Sequence, residues 1–436
     1  MSKQNEGIGD NNDHVILELN GTEIKIAESY EVKVSILQQP SAFSLRLGSD
    51  SSAADILKLA KPGTPFKLSI VTNGTPRVIQ AGRIDSRSIP TSNATQIEVR
   101  GRDWMAHLFD SFIEEEQDFP QKDFYSLTRA VMDRAGLLKD IGYDLVATND
   151  AHRLLTTGTS PKLHGGTELA QELLTGALSG TGQLVYKTLK AKLGVRYFDF
   201  LQTQYKLAGL FLWASPNKTF VLSRPRATQN ASFFLRRSRN GGTNIIDCRF
   251  QDDTTMRHGL VTVYGKSGGG KRGVEICRGA EVDPEMLNHG FVKGIVVHDP
   301  DAKTKEECEY VARRIIADER RAGWQLEYTV AGHQVASPNS DTGFAVWGPD
   351  TVVNVNDEEI HVDDDPSLNF KRDLYLEAVT YSRNPQTQTK LTLMRPGDLL
   401  FATGLQDDGQ IIKRKINSPT AASINTHNKN KLISGL

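Results

Sequence analysis

Residues 62–74 read Pro62-Gly-Thr-Pro-Phe-Lys-Leu-Ser-Ile-Val-Thr-Asn-Gly74, and residues 348–357 read Gly348-Pro-Asp-Thr-Val-Val-Asn-Val-Asn-Asp357. Each is a proline and glycine turn, an alternating strand and an asparagine-containing turn. The first is followed by Ile84-Asp85-Ser86-Arg87, then Thr95-x-Ile97-x-Val99, then Asp103. The second is followed by Val379-Thr380-Tyr381-Ser382-Arg383, then Thr389-x-Leu391-x-Leu393, then Asp398. The Ser-to-Thr spacing is 9 in one and 7 in the other, a difference a hairpin loop absorbs. One reading is generic, since any two β meanders share identities of this kind. The other is two copies of one barrel-like module. Three chains with two modules each present six similar units around one axis, which suits a six-fold ring on one side and a three-fold object on the other.

Outward from the first stretch, Val15, Leu17 and Leu19 alternate, then Ile24 and Ile26, then Val32, Val34 and Ile36. Asn20-Gly21 signals a hairpin between the first two runs. Phe43, Leu45 and Leu47 alternate again, a short helix is expected at Ala53–Ala60, and strands follow at Val78–Ile84 and Gln96–Val99. After a polar arm over 1–13, residues 14–110 therefore read as one β-barrel-like domain. Residues 111–239 read as an α+β middle domain. Asp123 caps a helix carrying Leu127, Ala130, Val131 and Ala135, and Gly136 ends it. Further helices are expected over Thr167–Leu178 and Val195–Leu210, then strands at Leu210–Ala214 and Thr219–Ser223.

Residues 240–400 return to β character as a second barrel-like domain with one long helix, Thr304–Ala322. Thr304 and Glu307 form a capping box, Val311, Ala312, Ile315 and Ile316 make the apolar face, and Gly323 closes it. Strands follow at Leu326–Val330, Val352–Val355, Leu374–Tyr381 and Lys390–Met394, and 401–436 reads as an extended polar tail that orders against a partner. The expected fold class is mixed, mainly β with α+β: two similar β-barrel-like modules flanking an α+β middle domain.

The composition fits. Of 436 residues, 38% are hydrophobic and 24% charged, which excludes a collagen-like, coiled-coil or wholly disordered chain. Net charge is −1, without the basic surplus of a dedicated nucleic-acid binder. Cys248, Cys277 and Cys308 are too sparse for a disulfide framework and lack zinc-ligand spacing, so reduced thiols are expected. The opening residues contain no signal-peptide core. The longest apolar runs, such as Leu210–Ala214, fall far short of the roughly 20 residues a membrane span needs. A cytoplasm-like folding compartment is expected.

Catalytic motifs are weak. Gly265-Lys-Ser-Gly-Gly-Gly-Lys271 opens like a phosphate loop, but Arg272 stands where Ser or Thr would hold magnesium, and a strand follows instead of a helix. The same stretch fits G-x-S-x-G without the strand–turn–helix context of a nucleophile elbow. Asp357-Glu-Glu359 and Asp363-Asp-Asp365 lack calcium-loop spacing. No H-E-x-x-H pair occurs, and His258 near Asp252 and Asp253, and His298 near Asp299, read as loop or core histidines rather than as metal ligands. Arg236, Arg237 and Arg239, and Lys413-Arg-Lys415, are small basic clusters that read as solvated segments or protein contacts. Glu114, Glu115 and Glu116 are the densest acidic cluster near a domain junction and would be the place to test for hydrolysis. No enzyme activity, cofactor or metal is expected.

The segments PGTPFKLSI, AGRIDSRS and TQIEVRGRDWMAHLFD resemble the baseplate hub (tail) proteins of Mu-like contractile-tail bacteriophages. The shared pattern falls on Gly82, Ile84, Asp85, Ser86 and Arg87, then Gly101, Arg102 and Asp103, then Leu108, Phe109 and Asp110. WGPDTVVNVND, LYLEAVTYSR and TKLTLMRPGDLL are similar to that family's last barrel, and residues 181–215 and the tail after 400 do not map onto it. The resemblance implies a homotrimeric hub in the virion tail baseplate, assembled in the host cytoplasm. Its two barrels per chain would form a pseudo-six-fold ring that joins the tail tube protein to the central spike protein. It would contact other baseplate proteins and line a channel through which DNA passes without sequence recognition. A neighbouring class, the spike-base protein of a type VI secretion or related contractile injection machine, is the alternative, and a wall hydrolase is a third. Asp85, Arg87, Asp103 and Arg383, at strand ends of the repeated modules, are the candidate interface residues, set against a purely local turn and inter-strand role.

Overall fold

The computed structural model describes residues 13–403, apart from 148–188, 49–55, 89–95, 206–209, 239–242, 267–275, 337–343, 361–369 and scattered single or paired positions. Seven strands open the chain: β1 (His14–Leu19), β2 (Thr22–Ile26), β3 (Ser29–Ser35), β4 (Ala42–Gly48), β5 (Pro65–Thr72), β6 (Thr75–Ser88) and β7 (Gln96–Asp103). Asn20 and Gly21 both take positive φ, 50° and 81°, so the β1–β2 turn twists with its strands. Alternation does what it predicts: Val15, Leu17 and Leu19 are fully buried while their neighbours are not. Each such side chain contributes about 1.5–3 kcal/mol on leaving water. Of the helix expected at Ala53–Ala60, the described part is a turn in which Ala60 N donates to Ile56 O; its first residues lie outside the described set.

The middle segment has its own core. Helix α1 (Met105–Asp110), β8 (Gln117–Phe119), α2 (Phe124–Arg134), β9 (Asp144–Ala147), β10 (Leu189–Ala191), α3 (Tyr197–Tyr205), β11 (Phe211–Ser215) and β12 (Thr219–Ser223) follow in order. Leu108, Phe119, Leu127, Val131, Leu201 and Phe220 are central to that core. Asp123 caps α2 as its sequence position requires, its Oδ1 accepting from Ser126 N at 2.6 Å, and Gly136 follows with φ 78°. The helix expected over Val195–Leu210 starts only at Tyr197. Val195 O accepts from Ile113 N and Arg196 forms an isolated antiparallel bridge with Phe112, so these residues are held out of the helix by the segment at 112–113. The helix expected over Thr167–Leu178 lies outside the described residues.

Strands β13 (Phe233–Arg237) and β14 (Ile245–Asp252) come next. The chain then builds a second compact unit from residues 253–323 and later described residues. That unit contains β15 (Leu260–Lys266), β16 (Ile276–Val282), α4 (Pro284–Asn288), β17 (Gly294–His298) and α5 (Lys305–Gly323). Its sheet runs β16-β15-β17, and α5 packs on it around Val261, Val263, Cys308, Ala312 and Ile316. Thr304, half of the expected capping box, lies outside the described residues. Six strands and a helix complete the order: β18 (Trp324–Ala331), β19 (Gln334–Ala336), β20 (Phe344–Val346), β21 (Thr351–Asp357), β22 (Phe370–Arg383), β23 (Thr387–Met394) and α6 (Pro396–Thr403). The paired residues Asp252 and Trp324 mark where the insertion leaves and rejoins the sheet.

The repeat read in the sequence is present in the strand order. One set runs β3-β4-β7-β6-β5-β1 and the other β14-β18-β23-β22-β21-β13. The corresponding pairings from β3–β4 to β6–β5 are antiparallel in both sets. The long middle strands β6 and β22 both have 14 residues. The sets differ at the outer pair, since β1 meets β5 antiparallel whereas β13 meets β21 parallel. Strand β3 also pairs with β22, Tyr30 to Arg383 through Ser35 to Ala378, so both modules share one 13-stranded sheet. The fold is mainly β, with two similar barrel-like modules and an α+β middle.

Candidate interaction surface

Strands β6 and β7 place Arg83 directly opposite Arg102. Two like charges facing across a ladder repel, and two carboxylates offset the repulsion. Asp85 sits at the register shift between Ile84 and Ser86 and receives Arg102 Nε at 2.6 Å and Nη2 at 3.2 Å. Asp110, the last residue of α1, receives Arg102 Nη2 at 2.8 Å and Nη1 at 3.2 Å, and Arg83 Nη2 at 3.0 Å. Arg102 thus forks onto two carboxylates, and hydrogen bonds to Asp85 and then Asp110 raise its pKa further above its ordinary value. Burial pushes the Asp110 carboxyl up, but Arg102 and Arg83 outweigh it and hold it below the usual range. Beside this cluster lies a groove of about 370 Å³ lined by Pro40, Arg102, Phe109, Asp110, Phe112 and Arg196. Phe112 is 48% exposed, with the Arg196 guanidinium 5.7 Å from its ring.

The nominated residues divide between two places. Asp85 lies in the cluster, and Arg87 is exposed at the end of β6 opposite Val99. Asp103 is buried at the end of β7, where Oδ2 accepts from Ser41 N and Oδ1 from Met105 N, each at 3.1 Å. Burial outweighs these bonds and pushes its carboxyl up to about 7. Arg383 lies in the second module, at the seam with β3, and its Nη1 donates to Asp13 O at 2.9 Å. Arg102 and Asp110 belong to the shared family pattern without being interface candidates, and nothing in the sequence points to Arg83. The signal was the facing arginine pair, which only the register reveals.

The seam encloses His333. Thr389 donates its hydroxyl to Gly332 O at 2.6 Å, so its oxygen accepts from His333 Nδ1 at 2.8 Å. Nε2 is then the lone-pair nitrogen and accepts from Tyr30 OH at 2.8 Å. Burial first, then the Arg383 charge, lowers the imidazole to about 3 and keeps it neutral. The ring also meets Tyr381 edge-on at 5.4 Å. Residues from β3, β22 and β23 are therefore locked through one histidine.

Other motifs resolve locally. Arg237 and Asp357, read as members of separate basic and acidic clusters, are partners: Nε to Oδ1 is 2.9 Å and Nη2 to Oδ2 is 2.8 Å. Tyr328 OH adds a bond to Asp357 Oδ2 at 2.9 Å. Burial pushes this carboxyl up, but Arg237, the Glu359 N–H and Tyr328 outweigh it, so it stays below the ordinary value. His258 meets Glu319 at 2.7 Å, and His298 stacks on Tyr264. Glu114, Glu115 and Glu116 are exposed. Arg239, Ser267, Asp363-Asp-Asp365 and Lys413-Arg-Lys415 lie outside the described residues. Among the described residues no group of three or more His, Cys, Asp or Glu is gathered as metal ligands would be, and no helix is long and apolar enough to cross a membrane.

No protein-family description and no curated protein matches the chain. Solved structures do. A tail protein from Neisseria meningitidis MC58 matches with a TM-score of 0.64 at 18% identity, over 91% of this chain and 99% of that one. The 43 kDa tail protein of prophage MuSo2 from Shewanella oneidensis matches with a TM-score of 0.63 at 16% identity, over 89% of this chain and 98% of that one. The chain has the fold of these tail proteins, which agrees with the resemblance read from its segments.

Proposed function

We propose that this chain is the structural hub of a phage tail baseplate. Three copies form a ring with pseudo-six-fold symmetry that joins the tail tube to the central spike and lines the DNA channel. The observation that carries this reading is the matching strand order of two modules within one sheet. A trimer of such chains offers six similar units to the tube and three identical faces to the spike. Asp85, Arg87 and Arg383 contribute to contacts between neighbouring modules, while Asp103 holds the end of β7 from inside. Assembly takes place in the host cytoplasm, and the ring is structural and not enzymatic. The fold shared with two tail proteins supports the tail assignment.

Light scattering during size exclusion tests the stoichiometry. A mass near three times 48.2 kDa is expected, and a stable dimer would contradict the reading, since a two-fold particle cannot join six-fold and three-fold partners. Purified protein is also expected to release nothing from cell-wall material. Hydrolysis abolished by substituting Glu114, Glu115 and Glu116 would overturn the structural role.

A further inference from the structure

The inserted unit brings two thiols together. Cys277 on β16 and Cys308 on α5 have their sulfurs 3.5 Å apart, although 31 positions separate them in the chain. Glycines make that approach possible. Gly265 pairs with Cys277 across the β15–β16 ladder. A Cβ on Gly265 would lie 2.2 Å from Ala302 O, 2.7 Å from Cys277 Sγ and 2.9 Å from Cys308 Sγ. Gly279, two residues along β16 and on the same face, lets the helix backbone in. A Cβ there would lie 2.4 Å from Glu309 N. The helix is thus seated on bare strand backbone, with the two sulfurs between them. Two thiolates alone are an incomplete metal set, and no third ligand joins them among the described residues.

We propose that Cys277 and Cys308 close a reversible disulfide under oxidising conditions, fastening α5 to β16. The oxidant is a small-molecule disulfide of the glutathione type. Cys277, the more exposed of the two, loses its proton and attacks one sulfur of the oxidant. The oxidant's S–S bond breaks, one small thiol leaves, and a mixed disulfide remains on Cys277. Cys308 then loses its proton and attacks Cys277 Sγ, the protein S–S bond forms, and the second small thiol is expelled. The protein gives up two protons and two electrons, and the oxidant becomes two thiols. Burial pushes the Cys308 thiol up to about 12, so this sulfur resolves the mixed disulfide and does not start the exchange. The sulfurs must approach by roughly 1.5 Å to reach bonding distance, a movement within reach of side-chain rotation and a small helix shift. Cys248 lies in the other unit beside Arg237 and Tyr328 and serves as an internal control. The inference does not depend on the hub reading.

The test uses the full-length folded protein, equilibrated with glutathione and glutathione disulfide, quenched in acid, denatured and labelled with a maleimide. Labelled thiols are expected to fall from three to one, with a peptide joining Cys277 to Cys308 and no retained glutathione. The C308S variant is expected to hold one glutathione on Cys277, because the resolving sulfur is gone. The C248S variant, altered in the other unit, is expected to lose both of its remaining thiols. Three labelled thiols throughout, or glutathione retained on Cys277 with Cys308 still free in the unaltered chain, would overturn the proposal.

Discussion

In the first module Arg102 reaches Asp85 where both side chains are about a third open to water, whereas in the second Arg237 closes on an Asp357 with no exposure. Both pairs are bidentate and both tie neighbouring strands. Solvent separates their consequences. The exposed pair gains little net energy, because water screens it and both side chains lose freedom. The buried pair has lost its hydration, so removing one partner strands the other charge. The two copies therefore share a strand order while one keeps its charges on the surface and the other uses them inside.

Five substitutions would break or sharpen that contrast. R237M is expected to destabilise the second module by about 3–5 kcal/mol in denaturant unfolding, since Asp357 would remain buried without its cation. G82A comes next, because a Cβ there would lie 2.0 Å from Arg102 O on the paired strand. It should cost about 3 kcal/mol, the upper end of ordinary overpacking. Aligning Ser86-Arg87 with Ser382-Arg383 puts Ala378 at the corresponding place in the second copy, where Ala378→Gly should cost only about 0.5–1 kcal/mol.

Asp103 binds its proton more tightly folded than unfolded, since its folded pKa is raised to about 7. Its contribution therefore favours the fold at low pH and is lost as pH rises from about 4 to about 7. D103N is expected to flatten this part of the stability profile, by up to about 4 kcal/mol across the window. An unchanged slope would remove Asp103 as its source. The smallest effect belongs to D85N, which should change unfolding by under about 1 kcal/mol while weakening association between chains. A large loss of stability without a change in association would make Asp85 a structural residue.

What the sequence makes legible is local. The alternation of Val15, Leu17 and Leu19, the Asn20-Gly21 turn, the Asp123 cap and the apolar face of α5 all follow from periods and turn chemistry acting within a few residues. The repeated Ser-Arg pattern and the alternating strands that open with Thr95 and Thr389 carry the strand order because each lies on one strand or hairpin. The seam is different. Tyr30 and His333 are 303 positions apart, and no periodicity marks a polar contact at that range. Arg237 and Asp357 look like members of separate charge clusters until parallel pairing of β13 with β21 sets them side by side. The insertion between Asp252 and Trp324 is not marked off in the sequence, since its strands have the same period as those on either side. Asp85 and Arg87 stand out through the repeat and Arg102 and Asp110 through the family pattern, but Arg83 and the clustering of these charges need the register.

In the proposed hub, two copies of one module per chain let three chains stand in for six. Cryo-electron microscopy of the assembled ring viewed along its axis tests it most directly. End-on averages are expected to show six similar lobes that refine to three-fold symmetry, each chain supplying two adjacent lobes. A ring of six chains with one lobe each, or a particle with two-fold symmetry, would contradict it.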